Sequence, residues 1–568
     1  MQDADRERII SDDYFDLIIE YKANPQIIEM LDGDYTVRII DEYFAVLHFP
    51  LAQLPRLEQS ILYSQLPLLF GLTDEASLNA SGVFNVRRTV AFNLRGEGVI
   101  IGIIDTGIDY TNPIFRKPDG TTKILSIWDQ SINTGASPED AGFGTVYLSD
   151  QINQALLSED PFSIVPSTDE NGHGTMLAGI AAGNDVPSEG FYGVAPAAEL
   201  VVVKLRQAKQ ANRAFFMVPE TSICFQENHI MWAIKYCSDV ARELNRPLVI
   251  CLGIGSSQGG HTGRSPINFL TNAIADLPDT GVVIAAGNEG NLGRHYYGQI
   301  DPAIGSNTVE LFVGEEDKGF TLELWGNPPG IYSIDILSPE GEYIPRIHPA
   351  LRVRRTVSFI FESTVIYVDY QLIEAQTGNQ LILMRFQNAT PGTWSFNVYG
   401  HGDMATGFHM WLPMGDFISR ETYFIQPNIY TTVLSPASTL IPISVTAYNP
   451  ANNNLYVNSS RGYTRDDVIK PEIAAPGVNY LAPSLDHTFV PVTGTSVSAA
   501  HTAGIVALML EWGTVRGNDP GMDTNAIKNQ LLRGARRRQN IMYPNRDWGY
   551  GIMDIFRVFE NMRADIER

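Results

Sequence analysis

Four short runs of almost uninterrupted apolar residues constrain this chain more than anything else in it: residues 99–104, 200–203, 248–252 and 282–286. A strand with one wet face alternates apolar and polar side chains. A strand apolar at nearly every position is buried on both faces, as in a parallel sheet covered by helices on each side. Between the second and third runs, Ile230, Ile234, Cys237, Ala241 and Leu244 recur at steps of three and four, which predicts a helix over 228–245. Strands alternating with helices predict an α/β fold with a doubly wound parallel sheet. Such sheets place their chemistry at the carboxyl ends of the strands.

The segments outside this rhythm read differently. Residues 1–80 suggest a small α+β unit, with strands over 16–21 and within 35–49, the latter turned at Asp41-Glu42. Leu54, Leu57, Ile61 and Leu62 have helical spacing within 52–62, and residues 67–72 form an extended apolar stretch followed by small and polar residues. Residues 302–435 hold short strand-like runs at 308–313, 320–325, 357–361, 365–372, 381–386 and 394–399, with Gly- and Pro-rich turns between several of them. Many short strands without helices predict an inserted β-sandwich. A strand at 441–445, with buried helices at 176–183 and 495–512, completes the α/β pattern. The expected organisation is 1–80, 81–301, 302–435 and 436–568, the second and fourth pieces forming one core; length alone, at about 150 residues per domain, suggests about four modules.

Composition narrows the partners. With 40 Lys and Arg against 64 Asp and Glu, the 568-residue chain carries a formal charge of −24, which argues against nucleic acid or an anionic membrane as partner. No apolar run reaches the roughly 18 residues a membrane span needs. Three cysteines, Cys224, Cys237 and Cys251, cannot build a disulfide framework and form no CxxC pair. The acidic opening residues lack the apolar core of a secretory signal, so the expectation is a protein kept in its producing cell or one trimmed of an upstream segment.

Asp105 ends the first apolar run and precedes Thr106-Gly107. His173 lies in Asn171-Gly172-His173-Gly174-Thr175, at the start of a small-residue helix, and Ser496 lies in Thr493-Gly494-Thr495-Ser496 at the start of another. Taken singly, an Asp after a strand is a turn former and a Ser before a helix is a cap. Together, in this order and at the active edge of an α/β sheet, they supply the nucleophile, base and orienting carboxylate of acyl transfer. Asn288, in Ala285-Ala286-Gly287-Asn288, stands at another strand end, where its amide would support an oxyanion beside the Ser496 N–H.

With these motifs the chain resembles the subtilisin-like serine proteases, over about 98–300 and 436–555. The resemblance implies that Asp105 orients His173, that His173 deprotonates Ser496, and that Gly253, Ile254 and Gly255 line the substrate. Residues 124–130, the long separation of Asp105 from His173, residues 459–463 and the β-rich insert are similar to the clostridial Csp germination proteases, CspB-like in keeping an intact triad. That branch implies an N-terminal prodomain that assists folding, is cut off autocatalytically and can remain bound as an inhibitor. It also implies a jelly-roll insert, a protein substrate that is the zymogen of a spore cortex-lytic hydrolase, and packaging in the spore. Cleavage is expected within 67–81. Members of the branch that lost the triad act as pseudoproteases in germinant signalling, the alternative reading. Around the nucleophile the chain has Val497, Ser498 and Ala500 where many subtilases have Met, Ala and Pro; none replaces a catalytic group. No dinucleotide loop, phosphate loop or zinc motif occurs, so no cofactor and no metal is expected. No calcium loop is visible, and His501 is expected to serve helix packing.

Overall fold

The apolar runs build one nine-stranded sheet in the computed structural model, which describes residues 3–29, 35–54, 61–73, 87 and 93–566. Its strands lie in the order Asn454–Leu455, Ile443–Asn449, Thr280–Ala285, Leu248–Leu252, Ile100–Asp105, Glu199–Lys204, Ile124–Asp129 and Thr145–Leu148; Ile473–Pro476 adds to Ile443–Asn449. All pairings are parallel except those of the short strands Asn454–Leu455 and Thr145–Leu148. Period-two alternation divides each central strand between two cores. Ile101, Ile103, Val202, Val249, Cys251 and Val283 face the helices His173–Ala182, Thr495–Leu510, Thr524–Gly534 and Ile555–Ile566. Ile100, Ile104, Val203, Ile250 and Ile284 face Glu227–Glu243 and Pro266–Ala275. Burial on both faces is why these runs carry no polar alternation.

Residues of the N-terminal unit join the second core. Tyr14–Glu20, Phe44–Pro50 and Thr36–Ile39 form an antiparallel sheet with Phe44–Pro50 in the middle. Phe15, Leu17, Phe44 and Phe49 pack in the same cluster as Ile230 and Trp232 of the core. Within the expected helix of 52–62, a 3-10 turn at Leu51–Gln53 leads into helical Leu54; residues 55–60 lie outside the described residues, and Ile61 and Leu62 stand outside any helix.

Two antiparallel sheets follow the core's first part. One has six strands, His295–Ile300, Thr406–Trp411, Gly319–Gly326, Gln380–Gln387, Val365–Gln371 and Arg352–Ser358 in spatial order. The other has five: Tyr343–Ile347, Ile331–Leu337, Gly392–His401, Ser306–Val313 and Tyr423–Phe424. Leu322, Leu324, Ile334, Ile336, Trp394 and Phe396 fill the space between them. The alternate residues Trp325, Leu381, Leu383 and Trp411 turn outward into the second core. The strands therefore run from His295 to Phe424, beginning before and continuing beyond the strand-like runs expected over 308–399. His295–Ile300 is polar in sequence and carries no apolar run by which to recognise it.

Among the described residues no helix is long and apolar enough to cross a membrane.

Candidate active site

Four strand and helix ends converge above the central sheet. Asp105 is the last residue of Ile100–Asp105, His173 the first of His173–Ala182, and Ser496 the second of Thr495–Leu510. Asp105 Oδ1 lies 2.6 Å from His173 Nδ1, with neither side chain exposed, and also accepts the Thr106 N–H at 2.8 Å. A buried carboxylate so placed fixes which imidazole nitrogen carries the proton and turns the other toward the reaction.

Gly253 explains how His173 and Ser496 share one space. A Cβ built on it would lie 3.1 Å from His173 Cε1 and 3.3 Å from Ser496 Cβ, so the missing side chain is the gap across which those two residues face each other. The same point is 2.5 Å from Leu177 Cδ1.

Asn288 is held by the residue before the serine. Its Oδ1 accepts both the Thr495 N–H, at 3.2 Å, and the Thr495 hydroxyl, at 3.1 Å. The Thr495 hydroxyl oxygen in turn accepts the Gly287 N–H at 3.0 Å. The carbonyl end of the amide is thereby anchored at the start of the Ser496 helix.

The third group of expected residues meets an occupant. Leu69–Leu72 runs as the middle strand of a three-stranded sheet, antiparallel to Ile254–Gly255 on one side and to Phe225–Gln226 on the other. Leu72 pairs with Ile254, and Gly71 with Gly255. The next residue, Thr73, directs its carbonyl oxygen to the Ser496 N–H at 3.1 Å, and its hydroxyl donates to the Gly253 carbonyl at 2.6 Å. Upstream, the Leu69 N–H donates to Gln258 Oε1 at 2.8 Å and the Leu68 N–H to Glu227 Oε2 at 3.1 Å. Burial pushes the Glu227 carboxyl up to about 7, against the backbone N–H groups of Ile267 and Leu68 that favour its ionised form. Thr73 lies within the 67–81 window; residues 74–80 lie outside those described.

Several positioning residues had no sequence signal of their own. Asp169 is the clearest. Its Oδ1 accepts the Thr106 hydroxyl and the Gly172 N–H, each at 2.8 Å, and its Oδ2 accepts the Thr175 N–H at 2.8 Å and hydroxyl at 2.7 Å. The Thr106 hydroxyl oxygen accepts the Gly174 N–H at 2.9 Å. One carboxylate thus ties the start of the His173 helix to the loop after Asp105. An Asp before a helix suggests a cap, but nothing local announces the Thr106 contact. Gln258 and Glu227 likewise bond backbone far away in the chain, with no local signal.

The unusual residues after Ser496 are accommodated. Val497 and Ala500 are fully buried, and the Ser498 hydroxyl lies 3.1 Å from the carbonyl oxygens of both Ala475 and Pro476. His501 is buried with its Nδ1 3.0 Å from the Tyr480 hydroxyl, and burial pushes its imidazole down to about 3, which keeps it neutral. The cysteines offer no rival nucleophile: burial pushes the Cys224 thiol up to about 12 and those of Cys237 and Cys251 upward as well. No group of three or more His, Cys, Asp or Glu side chains able to hold a metal occurs among the described residues.

The Subtilase family (peptidase S8) matches residues 96–310 and 417–551, leaving out most of the two-sheet insert. The solved CspB protease of Clostridium perfringens superimposes with a TM-score of 0.75 at 32% identity, covering 86% of this chain and 98% of that one. Among curated sequences, the subtilisin-like protease SBT3.4 of Arabidopsis thaliana is 25% identical over 75% of this chain and 57% of its own length. A PII-type proteinase of Lacticaseibacillus paracasei is 28% identical over 37% of this chain and 10% of its own. The chain thus spans between a tenth and somewhat over half of these curated relatives. On the extent of the family match and the likeness to the CspB structure, the chain belongs to the subtilase family.

Proposed function

We propose that this chain is a serine endopeptidase that cuts itself after Thr73. The observation that carries the reading is the Thr73 carbonyl oxygen 3.1 Å from the Ser496 N–H, at the end of a strand clamped between two others. A peptide held in extended form with its carbonyl on an oxyanion donor is posed as a substrate.

In the proposed reaction Ser496 Oγ attacks the Thr73 carbonyl carbon while His173 Nε2 takes the hydroxyl proton. Asp105, bonded at His173 Nδ1, stabilises the imidazolium that forms. The developing oxyanion takes hydrogen bonds from the Ser496 N–H and from the Asn288 amide. As the C–N bond breaks, His173 returns the proton to the leaving nitrogen of Asp74, and an ester links Thr73 to Ser496. Water, deprotonated by His173, then hydrolyses the ester and regenerates the serine. On this reading residues 1–73 are the prodomain, and the strand pairing that poses the bond for cleavage keeps its product in the cleft as an inhibitor.

The resemblance to the Csp germination proteases supports a physiological reading: cleavage in trans of a protein zymogen, such as a spore cortex-lytic hydrolase, by an enzyme made in the sporulating cell and packaged with the spore. Neither a cofactor nor a metal enters the proposed chemistry.

Expression of the wild type beside Ser496→Ala tests the reading. The wild type should yield a fragment whose N-terminal sequence begins at Asp74, and the alanine variant should remain one full-length band. Full-length protein in both would overturn it.

A further inference from the structure

The strand in the cleft is covered from above at Gly71. A Cβ at Gly71 would lie 3.4 Å from Met414 Cε and 3.5 Å from Phe417 Cε1 and Cζ, already in van der Waals contact. Met414 and Phe417 are themselves buried, 1% and 2% exposed, in the segment that follows the six-stranded sheet's Thr406–Trp411. That segment is fastened to the core at several points. The Gly415 N–H donates to Glu289 Oε1 at 3.1 Å, and Glu289 Oε2 pairs with Arg294 at 3.0 Å, both side chains being buried. Arg294 also donates to the Ile418 carbonyl at 2.9 Å, and the Ser222 hydroxyl donates to the Asp416 carbonyl at 2.7 Å. Glu289 follows Asn288 directly, so the roof is braced from the site itself.

Resting on the proposed self-cleavage, we infer that Met414 and Phe417 restrict the substrate: the third residue before the cut bond must be Gly or Ala. The cleft therefore selects protein segments with a small residue at that position in an otherwise apolar extended stretch, as in Phe70-Gly71-Leu72-Thr73. A methyl group fits against the roof; a branched side chain meets the Phe417 ring and the Met414 methyl. Because the roof is bonded on both sides of Met414–Phe417, it yields less than a loose loop would. The insert thus acts on specificity through two side chains at its exit, beyond any effect on stability.

The full chain is its own substrate, so the rate of self-cleavage reads the restriction. Gly71→Ala should process within about threefold of the wild type, and Gly71→Val at least tenfold more slowly. Adding Met414→Ala and Phe417→Ala to Gly71→Val should recover most of the lost rate, which a mere folding defect at position 71 would not do. Gly71→Val cutting at the wild-type rate would overturn the inference, and so would a slow Gly71→Val that the opened roof fails to rescue. Absence of cleavage in the wild type would instead overturn the proposed function.

Discussion

Asp16 and Lys209 meet at 2.6 Å with neither side chain exposed, one on the first strand of the N-terminal sheet and the other just before the core helix Gln210–Phe215. Asp16 also bonds His48 Nδ1 at 2.7 Å, Asn228 Nδ2 at 3.1 Å and Gln226 Nε2 at 3.2 Å. Burial would raise its carboxyl, but Lys209 and His48 beside it hold it far below the usual carboxylate range. Removing one partner of a buried pair leaves an uncompensated charge and costs about 3–5 kcal/mol. Lys209→Met, made in the Ser496→Ala background to keep the chain intact, should lower urea stability by roughly that amount. Asp16→Leu combined with Lys209→Met should recover much of the loss. The sign with pH follows from the depressed carboxyl: its contribution is present above the ordinary Asp value of 3.8 and is lost as pH falls below it. The urea midpoint of the parent should therefore drop more steeply below pH 4 than that of the double variant.

Gly253 separates a packing role from a chemical one. Ala at this position would place a methyl 2.5 Å from Leu177 Cδ1 and wedge it between His173 and Ser496. Overpacking of this kind costs about 1–3 kcal/mol, whereas displacing catalytic groups by about 1 Å costs on the order of 100-fold in rate. Gly253→Ala should therefore lower the melting temperature modestly while self-cleavage slows about 100-fold or more. Parallel time courses and thermal melts check both halves.

The parts of this site legible in the sequence are those whose signal is local. Asp105 and Asn288 follow runs that could only be buried strands, and His173 and Ser496 sit where a small-residue helix begins, so position in the fold and chemistry could be read together. Asp169 lies four residues before His173, but its value depends on Thr106, in a loop 63 residues earlier in the chain. Gln258 and Glu227 bond the backbone of Leu69 and Leu68 across 189 and 159 residues. A backbone N–H leaves no trace in a sequence, so neither partnership had a pattern to follow. The extended character of residues 67–72 was readable from its apolar run, but the residue at the serine was not, because register is set by pairing with Ile254 and Phe225 far along the chain. Among the strands of the two antiparallel sheets, Ile331–Leu337 carries an alternating pattern in its sequence, whereas His295–Ile300 is polar and is held by Thr406–Trp411 opposite it.

The two roles of Asn288, the anchoring it shows and the donation proposed for it, are divided by one substitution pair. Its Oδ1 anchors Thr495, and its Nδ2 is the proposed oxyanion donor. Asn288→Asp keeps an acceptor for Thr495 and removes the donor; Asn288→Ala removes both. Loss of one oxyanion donor in this family costs about 10²–10³ in rate. Both variants should slow self-cleavage by that order. Asp should match or exceed the loss in Ala, because its charge also opposes the developing oxyanion. A rate for Asn288→Asp near the wild type would show that anchoring of the Ser496 helix, not donation, is the contribution of this residue.

Glu227, which bonds the backbone of the cleft strand, should make the stability of the folded chain depend on pH. Its two carboxyl oxygens accept the Leu68 and Ile267 N–H groups at 3.1 and 3.0 Å, and burial raises the carboxyl from 4.5 to about 7. Between those values the unfolded chain has released this proton while the folded chain still holds it. The folded state then binds more protons, so stability must fall as pH rises across the window, by on the order of 3 kcal/mol for a shift of this size. Glu227→Gln cannot ionise and should remove this component of the slope. It should also be less stable at pH 4.5, because one amide end presents N–H where an acceptor is needed. Urea unfolding at pH 4.5, 5.5 and 7.5, in the Ser496→Ala background, compares the slopes directly. A Gln variant that loses stability with pH as steeply as its parent would locate the titration elsewhere.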